Sequence, residues 1–306
     1  MTKRTLTRRN LIASTAALPL ATLAQTSQAA APMKGASNAP FNRFKLGEFE
    51  VTTLLSRTLP RPDPHSIFGL NISAEEFAQA SAKANLPTDQ AQFFFTPTVV
   101  NTGAELVLFD TGLSSDDITG ALSAAGYSAD QIDTVVITHM HGDHIGGLMQ
   151  DGIATFPNAR YVTGAAEFDA WAAIGNEKFD SNVKPLADKT SLIDPGAEAA
   201  LGITAVEAFG HTPGHMTYMV ESNGKQLLIA ADFANHYVWS LAYPDWEVKF
   251  DMDKPAAAAT RKRLLGMLAA DNIPFVGYHM PWPAVGYVSK NGDGYRYEPH
   301  SYQLML

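Results

Sequence analysis

The chain has 306 residues, 46% of them hydrophobic, with no cysteine and with 31 Asp and Glu against 22 Lys and Arg, for a formal net charge of −9. That length and apolar content suffice for one sizeable core, so a single catalytic-size domain is expected rather than a disordered or fibrous chain. The acidic balance argues against nucleic acid as a partner, and the missing cysteines exclude disulfides and thiolate zinc sites, leaving nitrogen and oxygen donors for any metal.

In chain order, residues 1–29 read as a cleavable signal peptide. Lys3, Arg4, Arg8 and Arg9 precede an uncharged stretch over 11–24 that runs into small residues around Ala29. The apolar part is about 14 residues and contains Pro19, short of the roughly 20 a spanning helix needs, so no stable membrane anchor is expected. Thr7-Arg8-Arg9-Asn10-Leu11-Ile12 resembles the twin-arginine export signal of bacteria, which places the mature chain in the periplasm or outside the cell. Cleavage after Ala29 removes four basic and no acidic residues, taking the net charge from −9 to −13. Residues 30–40, rich in Ala, Ser, Pro and Gly without an apolar period, read as a flexible lead, and the folded domain is expected over 41–306.

Apolar runs bounded by turn residues predict strands over 48–55, 98–101, 105–109, 132–137, 160–163, 204–208, 216–221, 226–230 and 273–278. Asn101-Thr102-Gly103 and Ser222-Asn223-Gly224 sit between such runs, and Asn and Gly tolerate positive φ, so two hairpins are expected. Helical spacing covers 73–83, 114–125, 165–173 and 255–270, the last with Asp253 as its cap and Pro255 in its first turn. Hairpins interleaved with helices predict an α/β protein whose sheets are covered by helices rather than an all-parallel nucleotide-binding sheet.

The run 132–137 leads straight into Thr138-His139-Met140-His141-Gly142-Asp143-His144. A strand ending in a turn sends alternate side chains the same way, so His139 and His141 can converge on one ion while Asp143 and His144, past the bend, face a second. Gly210-His211-Thr212-Pro213-Gly214-His215 follows the run 204–208, and Pro213 and Gly214 argue against a helix that would align both imidazoles. His211 is therefore the expected donor, with His215 a supporting or structural residue. Asp232 closes the apolar run 227–231, and His279 closes 273–278. No Gly-x-Ser-x-Gly elbow is present.

His-x-His-x-Asp-His, then Gly-His-Thr-Pro-Gly-His, then an Asp and a His after later strands, in this order over 98–280, resemble the metallo-β-lactamase-fold hydrolases. The resemblance implies an αβ/βα sandwich, two mixed sheets with helices on the outer faces, carrying a dinuclear centre at one edge. His139, His141 and His211 would then hold one metal, Asp143, His144 and His279 the other, and Asp232 would bridge them, with Asp143 and Asp232 the catalytic carboxylates. Phe44-Lys45-Leu46-Gly47-Glu48-Phe49-Glu50, Val100-Asn101-Thr102-Gly103, Gly214-His215-Met216-Thr217-Tyr218 and Gly294-Tyr295-Arg296-Tyr297 resemble one branch, the methyl parathion hydrolase-like group with its lactonase and arylesterase relatives. That branch implies two divalent ions, zinc by preference with manganese, iron or cobalt also suited. It further implies a metal-bridging hydroxide that cleaves an ester, lactone or phosphotriester of a small apolar or aryl substrate, and a homodimer.

The resemblance also makes Asp110 the aspartate that orients the metal-binding loop, against the plainer reading of a turn residue. Ala231 stands where family members often carry glycine. Phe93, Phe94, Phe95, Trp171, Trp282 and Tyr287 are candidates for an apolar substrate wall, each weighed against ordinary core packing. Two other functions compete: a β-lactam hydrolase, and an exported metal- or solute-binding protein without turnover, which needs no bridging aspartate.

Overall fold

The computed structural model describes Met33 and residues 35–300, and the expected signal peptide lies outside the described residues. The chain divides into two units, residues 1–37 and 38–306, and every element below belongs to the second. In order they are β1 (Phe41–Leu46), β2 (Phe49–Leu54), β3 (Arg57–Pro62), α1 (Ala74–Lys83), β4 (Gln90–Phe95), β5 (Thr98–Asn101), β6 (Leu106–Phe109), α2 (Ser115–Ala124), β7 (Thr134–Val136), α3 (Gly142–Ile145), β8 (Met149–Gln150) and β9 (Ile153–Ala154). There follow β10 (Arg160–Gly164), α4 (Ala165–Ile174), α5 (Glu177–Asn182), β11 (Thr190–Ile193), β12 (Glu198–Ala200), β13 (Ile203–Glu207), β14 (Met216–Ser222), β15 (Lys225–Ala231), α6 (Lys254–Asp271), β16 (Phe275–Gly277), β17 (Val285–Asn291) and β18 (Gly294–Pro299).

One seven-stranded sheet runs β1-β2-β5-β6-β7-β10-β11 and the other β12 to β18 in sequence order. Both are mixed. In the first, β6, β7, β10 and β11 run parallel, and in the second β15 and β16 do. Because side chains alternate along a strand, the two faces of the first sheet separate cleanly. Val100, Val107, Phe109 and Val136 face the second sheet and pack with Tyr218, Leu228 and Phe275. Val99, Leu108 and Val135 face outward against Ile118 and Leu122 of α2. Leu264, Leu265 and Leu268 of α6 join the core shared with the second sheet. Strands covered on both faces read as continuous apolar runs, as Val135-Val136-Ile137 does at the end of β7.

Local chemistry sets the ends of these elements. Ser73, Ser114 and Asp253 each accept a backbone N–H of their helix's first turn, from Glu76, Asp117 and Ala256 respectively. The β14–β15 hairpin turns on Asn223 at φ 50° and Gly224 at φ 74°, the positive-φ pair that a two-residue hairpin requires. The sequence pattern misses β1, β4, β11, β12, β17, β18 and the short β8 and β9, and it misses β3, which reads Arg-Thr-Leu-Pro-Arg-Pro and is largely exposed. Its prolines are tolerated because it pairs only with β4, in a ribbon outside both sheets. Among the described residues no helix is long and apolar enough to cross a membrane.

This topology gathers the chemistry at one edge. Parallel strands end on the same side, so the segments leaving β7, β15 and β16 deliver 138–144, Asp232 and His279 to neighbouring places, and the turn after β13 adds 210–215.

Candidate metal centre

The loop after β7 is held by Asp110, which sits at φ 59° directly after β6. Its Oδ1 accepts the Thr138 N–H at 2.9 Å and its Oδ2 accepts the Thr138 hydroxyl at 2.8 Å. The same Oδ2 lies 2.8 Å from His144 Nδ1. Asp110 is therefore the orienting residue and not merely a turn; its left-handed backbone is held by these bonds, as strained residues at functional sites commonly are. The 210–215 loop is fixed against α6, where a Cβ on Gly210 would stand 2.2 Å from Ala257 N, so only glycine permits this approach.

Two sets of donors result. In the first, His139 Nε2 lies 3.1 Å from His141 Nδ1, which lies 2.9 Å from His211 Nε2. In the second, Asp143, His144, Asp232 and His279 place one donor atom each within 4.8 Å of one another. The outer nitrogens are already committed. His211 Nδ1 donates to Asp251 Oδ1 at 2.8 Å, His144 Nδ1 donates to Asp110, and His279 Nδ1 donates to the Phe94 carbonyl at 2.8 Å. In the neutral ring each would leave the Nε2 lone pair turned inward, the tautomer a metal ligand needs.

Asp232 lies between the sets. Its Oδ2 is 3.5 Å from His211 Nε2 and 3.2 Å from His279 Nε2, and its Oδ1 is 3.4 Å from His144 Nε2. His144 Nε2 and Asp232 Oδ1 are buried with no hydrogen-bond partner among the described residues. Two such atoms turned toward each other are costly unless a further group satisfies both.

The electrostatics differ between the two sets in a way that suits cations. Burial holds His139 well below the ordinary imidazole value, and the neighbouring histidines push the same way. Burial, followed by His211, takes His141 down to about 3. These rings are neutral and ready to donate lone pairs. Burial also opposes charge on His144 and His279, yet Asp110, Asp232 and Asp143 raise the first, and Asp232 and Asp143 raise the second to about 10. Burial pushes Asp143 and Asp232 up, but His144 and His279 hold both carboxyls below their ordinary range. The second set thus demands positive charge at its centre. Donor types, free lone pairs and orphaned atoms all fit two divalent ions with nitrogen and oxygen ligands.

The sequence profile of the Metallo-beta-lactamase superfamily matches residues 96–274, more than half of the chain. The chain belongs to that superfamily. The uncharacterized protein YobT of Bacillus subtilis is 29% identical over 139 residues, 42% of this chain and 57% of that protein. An N-acyl homoserine lactonase of a Bacillus species is 27% identical over 107 residues, 35% of this chain and 40% of the lactonase. The chain therefore aligns with about half the length of these relatives. Among solved structures, AidC, a dizinc quorum-quenching lactonase in complex with a product, superposes with a TM-score of 0.79 at 24% identity, covering 86% of this chain and 98% of that one. This likeness concerns the fold.

Around this superfamily centre stands a set of supporting residues, most of them without a sequence signal. His215 joins neither donor set: burial takes it down to about 3, its Nδ1 donates to Ala208 O at 3.1 Å, and its Nε2 accepts the Asp232 N–H at 3.2 Å. It is the expected supporting residue, and what it supports is the backbone of Asp232. Ala231, just before, sits at φ 48°, the left-handed region that glycine favours. Asp251 carries His211 on Oδ1 and the fully buried guanidinium of Arg261 on Oδ2 at 2.7 Å. Glu167, in the first turn of α4, is fully buried. It accepts from Met140 N at 2.9 Å, Thr212 Oγ1 at 2.7 Å and Gly214 N at 2.8 Å, so one carboxylate ties the His139–His141 loop to the His211 loop. Burial pushes its carboxyl up while these donors pull against that.

The centre opens into a cavity of about 280 Å³ bordered by His141, Asp143, Asp232 and His279, with Phe93 and Phe95 among its walls. Both rings stand edge-on to His279, at 5.4 and 5.3 Å between centroids. Phe94 points the other way along β4, into an adjoining cavity of about 660 Å³ that also touches His279 and includes Trp239 and Tyr297. Of the other expected wall residues, Trp171 is buried against His141, ring to ring at 5.7 Å. Trp282 and Tyr287 are half-buried and line neither cavity.

Proposed function

We propose that the chain is an exported hydrolase that uses two divalent metal ions, zinc by preference, to cleave an ester or lactone bond of a small substrate. The observation that carries this reading is the place of Asp232, whose carboxylate faces His211 on one side and His144 and His279 on the other. A binding protein needs no carboxylate shared between two donor sets. His139, His141 and His211 would hold one ion and Asp143, His144 and His279 the other, with Asp232 reaching both. When bound, such ions supply a water of lowered pKa and a Lewis acid for the scissile carbonyl.

The chain's own residues set the conditions for that chemistry. Phe93 and Phe95 keep bulk water off one wall and offer an aryl or alkyl portion a place to pack. Asp232 is almost wholly buried, and His215 holds its backbone. Asp143 is more open and turns Oδ2 toward His144 and His279. Its Oδ1 stands outside those pairs, on a residue that borders the cavity. The N-acyl homoserine lactonase relative supports a carbonyl substrate.

The deciding experiment compares kcat/KM of the metal-loaded mature chain on a lactone, an aryl ester, a phosphotriester and a β-lactam. Lactone and aryl ester are expected to lead. A leading β-lactam or phosphotriester reassigns the substrate, and no turnover with two metals bound restores the binding-protein reading. Export rests on the N-terminal pattern. It is checked by finding the mature N-terminus just after Ala29 in the periplasmic fraction; the proposed homodimer is read by sedimentation.

A further inference from the structure

Two cations stand at the mouth of the metal cavity that the donor sets do not use. Lys178, on α5, lies across Gly142: a Cβ built on that glycine would stand 2.7 Å from both Cδ and Nζ of the lysine. The ammonium is laid against the candidate metal-binding loop, over the one residue between His141 and Asp143, which has no side chain. Arg61, on β3, places its guanidinium 6.0 Å from the centroid of the Phe93 ring. Both border the same cavity as His141, Asp143, Asp232 and His279.

Neither side chain has an ion pair or hydrogen bond with any described residue, although the chain carries nine more acidic than basic groups. Some surface cations are paired, Arg57 with Asp117, Lys262 with Asp245 and Arg296 with Glu298, and others such as Lys45, Lys83 and Lys225 are not; what sets Lys178 and Arg61 apart is the cavity they share. Two exposed, unpaired cations bordering one small cavity form a receptor for negative charge. An anion there would gain charge-assisted hydrogen bonds, and the guanidinium adds a planar fork suited to carboxylate or phosphate oxygens.

Resting on the hydrolase reading above, we propose that the substrate carries an anionic oxygen group, a carboxylate or phosphate, at its end remote from the scissile bond, bound by Lys178 and Arg61. The two cations set specificity and take no part in bond cleavage.

The test uses the metal-loaded mature chain and three esters with one aryl leaving group: a pentanoate, the glutarate monoester of matched length, and an acyl chain ending in phosphonate. The charged esters are expected to exceed the neutral one in kcat/KM by about tenfold or more, the effect of one hydrogen bond to a charged group, and salt should narrow the gap. Lys178→Met and Arg61→Met should each cut the charged-to-neutral ratio severalfold through KM, Lys178→Glu should invert it, and Lys178→Arg should restore it. The glutarate and phosphonate arms tell which anion fits. A parental ratio near one, or a ratio indifferent to Lys178→Glu, overturns the proposal.

Calorimetric binding of glutarate against pentanoate reads the same preference without turnover. Preference there, weakened by Lys178→Glu, with no ester hydrolysed overturns the hydrolase reading and keeps this one. Equal binding overturns this one and leaves the hydrolase reading standing.

Discussion

Replacing Glu167 by glutamine changes one oxygen for an amide nitrogen and should loosen the metal centre from a distance. The carboxylate accepts three hydrogen bonds at 2.7 to 2.9 Å, two from the Thr212–Gly214 side and one from Met140. Glutamine can keep its carbonyl toward Thr212 and Gly214, but its NH₂ then faces the Met140 N–H, donor against donor. Losing one hydrogen bond to a charged acceptor at a buried site costs about 1.5–3 kcal/mol. In a domain of this size that corresponds to a fall in Tm of roughly 3–10 °C. The larger effect belongs to the metals, since Met140 sits between His139 and His141 and Thr212 beside His211. An outer-shell tie of this kind is worth about 10–100-fold in metal affinity. Thermal unfolding of the metal-free chain and competition with a chelator for the loaded one measure the two effects separately. A glutamine variant that melts with the parent and binds metal with parental affinity would refute the idea that Glu167 couples the two loops.

Other outcomes follow from the same geometry. Purified natively, the mature chain should carry close to two metals, and stripping them should abolish hydrolysis until zinc, manganese or cobalt is restored; elemental analysis near zero metals removes the site assignment. Asp232→Ala should cost more activity on aryl esters and lactones than the ~10–100-fold of an outer-shell change, with the circular dichroism spectrum retained; full activity would remove Asp232 from its joining role. Gly214→Ala sets a Cβ 2.1 Å from the Glu167 backbone nitrogen and should cost at least about 3 kcal/mol or prevent folding. By contrast Gly103→Ala, at φ 82° with nothing within 4 Å, should cost only about 1–2 kcal/mol. Urea unfolding of both variants checks the contrast, and equal costs would contradict it.

The residues that cluster at the candidate centre were legible because histidines and aspartates at strand ends are rare enough to stand out, and their order along the chain carried the family resemblance. The central strands were legible for a related reason, since stretches such as Val135-Val136-Ile137 are unbroken by polar residues and mark strands covered on both faces, whereas β17 and edge and ribbon strands such as β1, β4 and β18 escaped. The ties between loops were not. Glu167 reads as one more acidic residue in a helix's first turn, and nothing nearby in sequence announces donors 27 and 45–47 residues away. Arg261 lies in Thr-Arg-Lys-Arg, which suggests a solvated face, yet it is fully buried, with its guanidinium on Asp251 and on the Pro244 carbonyl. Strand β3 escaped because its prolines and charges suit only a ribbon without a second neighbour. Lys178 went unnoticed because its meaning depends on the missing side chain of Gly142, a contact between residues 36 apart in sequence.

Strand β4 gives the two cavities opposite sides of one backbone, Phe93 and Phe95 on the metal side and Gln92 and Phe94 on the other. Point substitutions at these positions are therefore independent adjustments, and a lineage can widen one cavity without disturbing its neighbour. A single inserted or deleted residue within β4 itself, ahead of Phe93, is a different kind of change. With a side-chain period of two, it would exchange the walls wholesale and carry off the carbonyl that orients His279. Variation in this strand should thus run through composition while its length stays fixed, and libraries built to redirect the enzyme will find more active members by randomising β4 than by lengthening or shortening it.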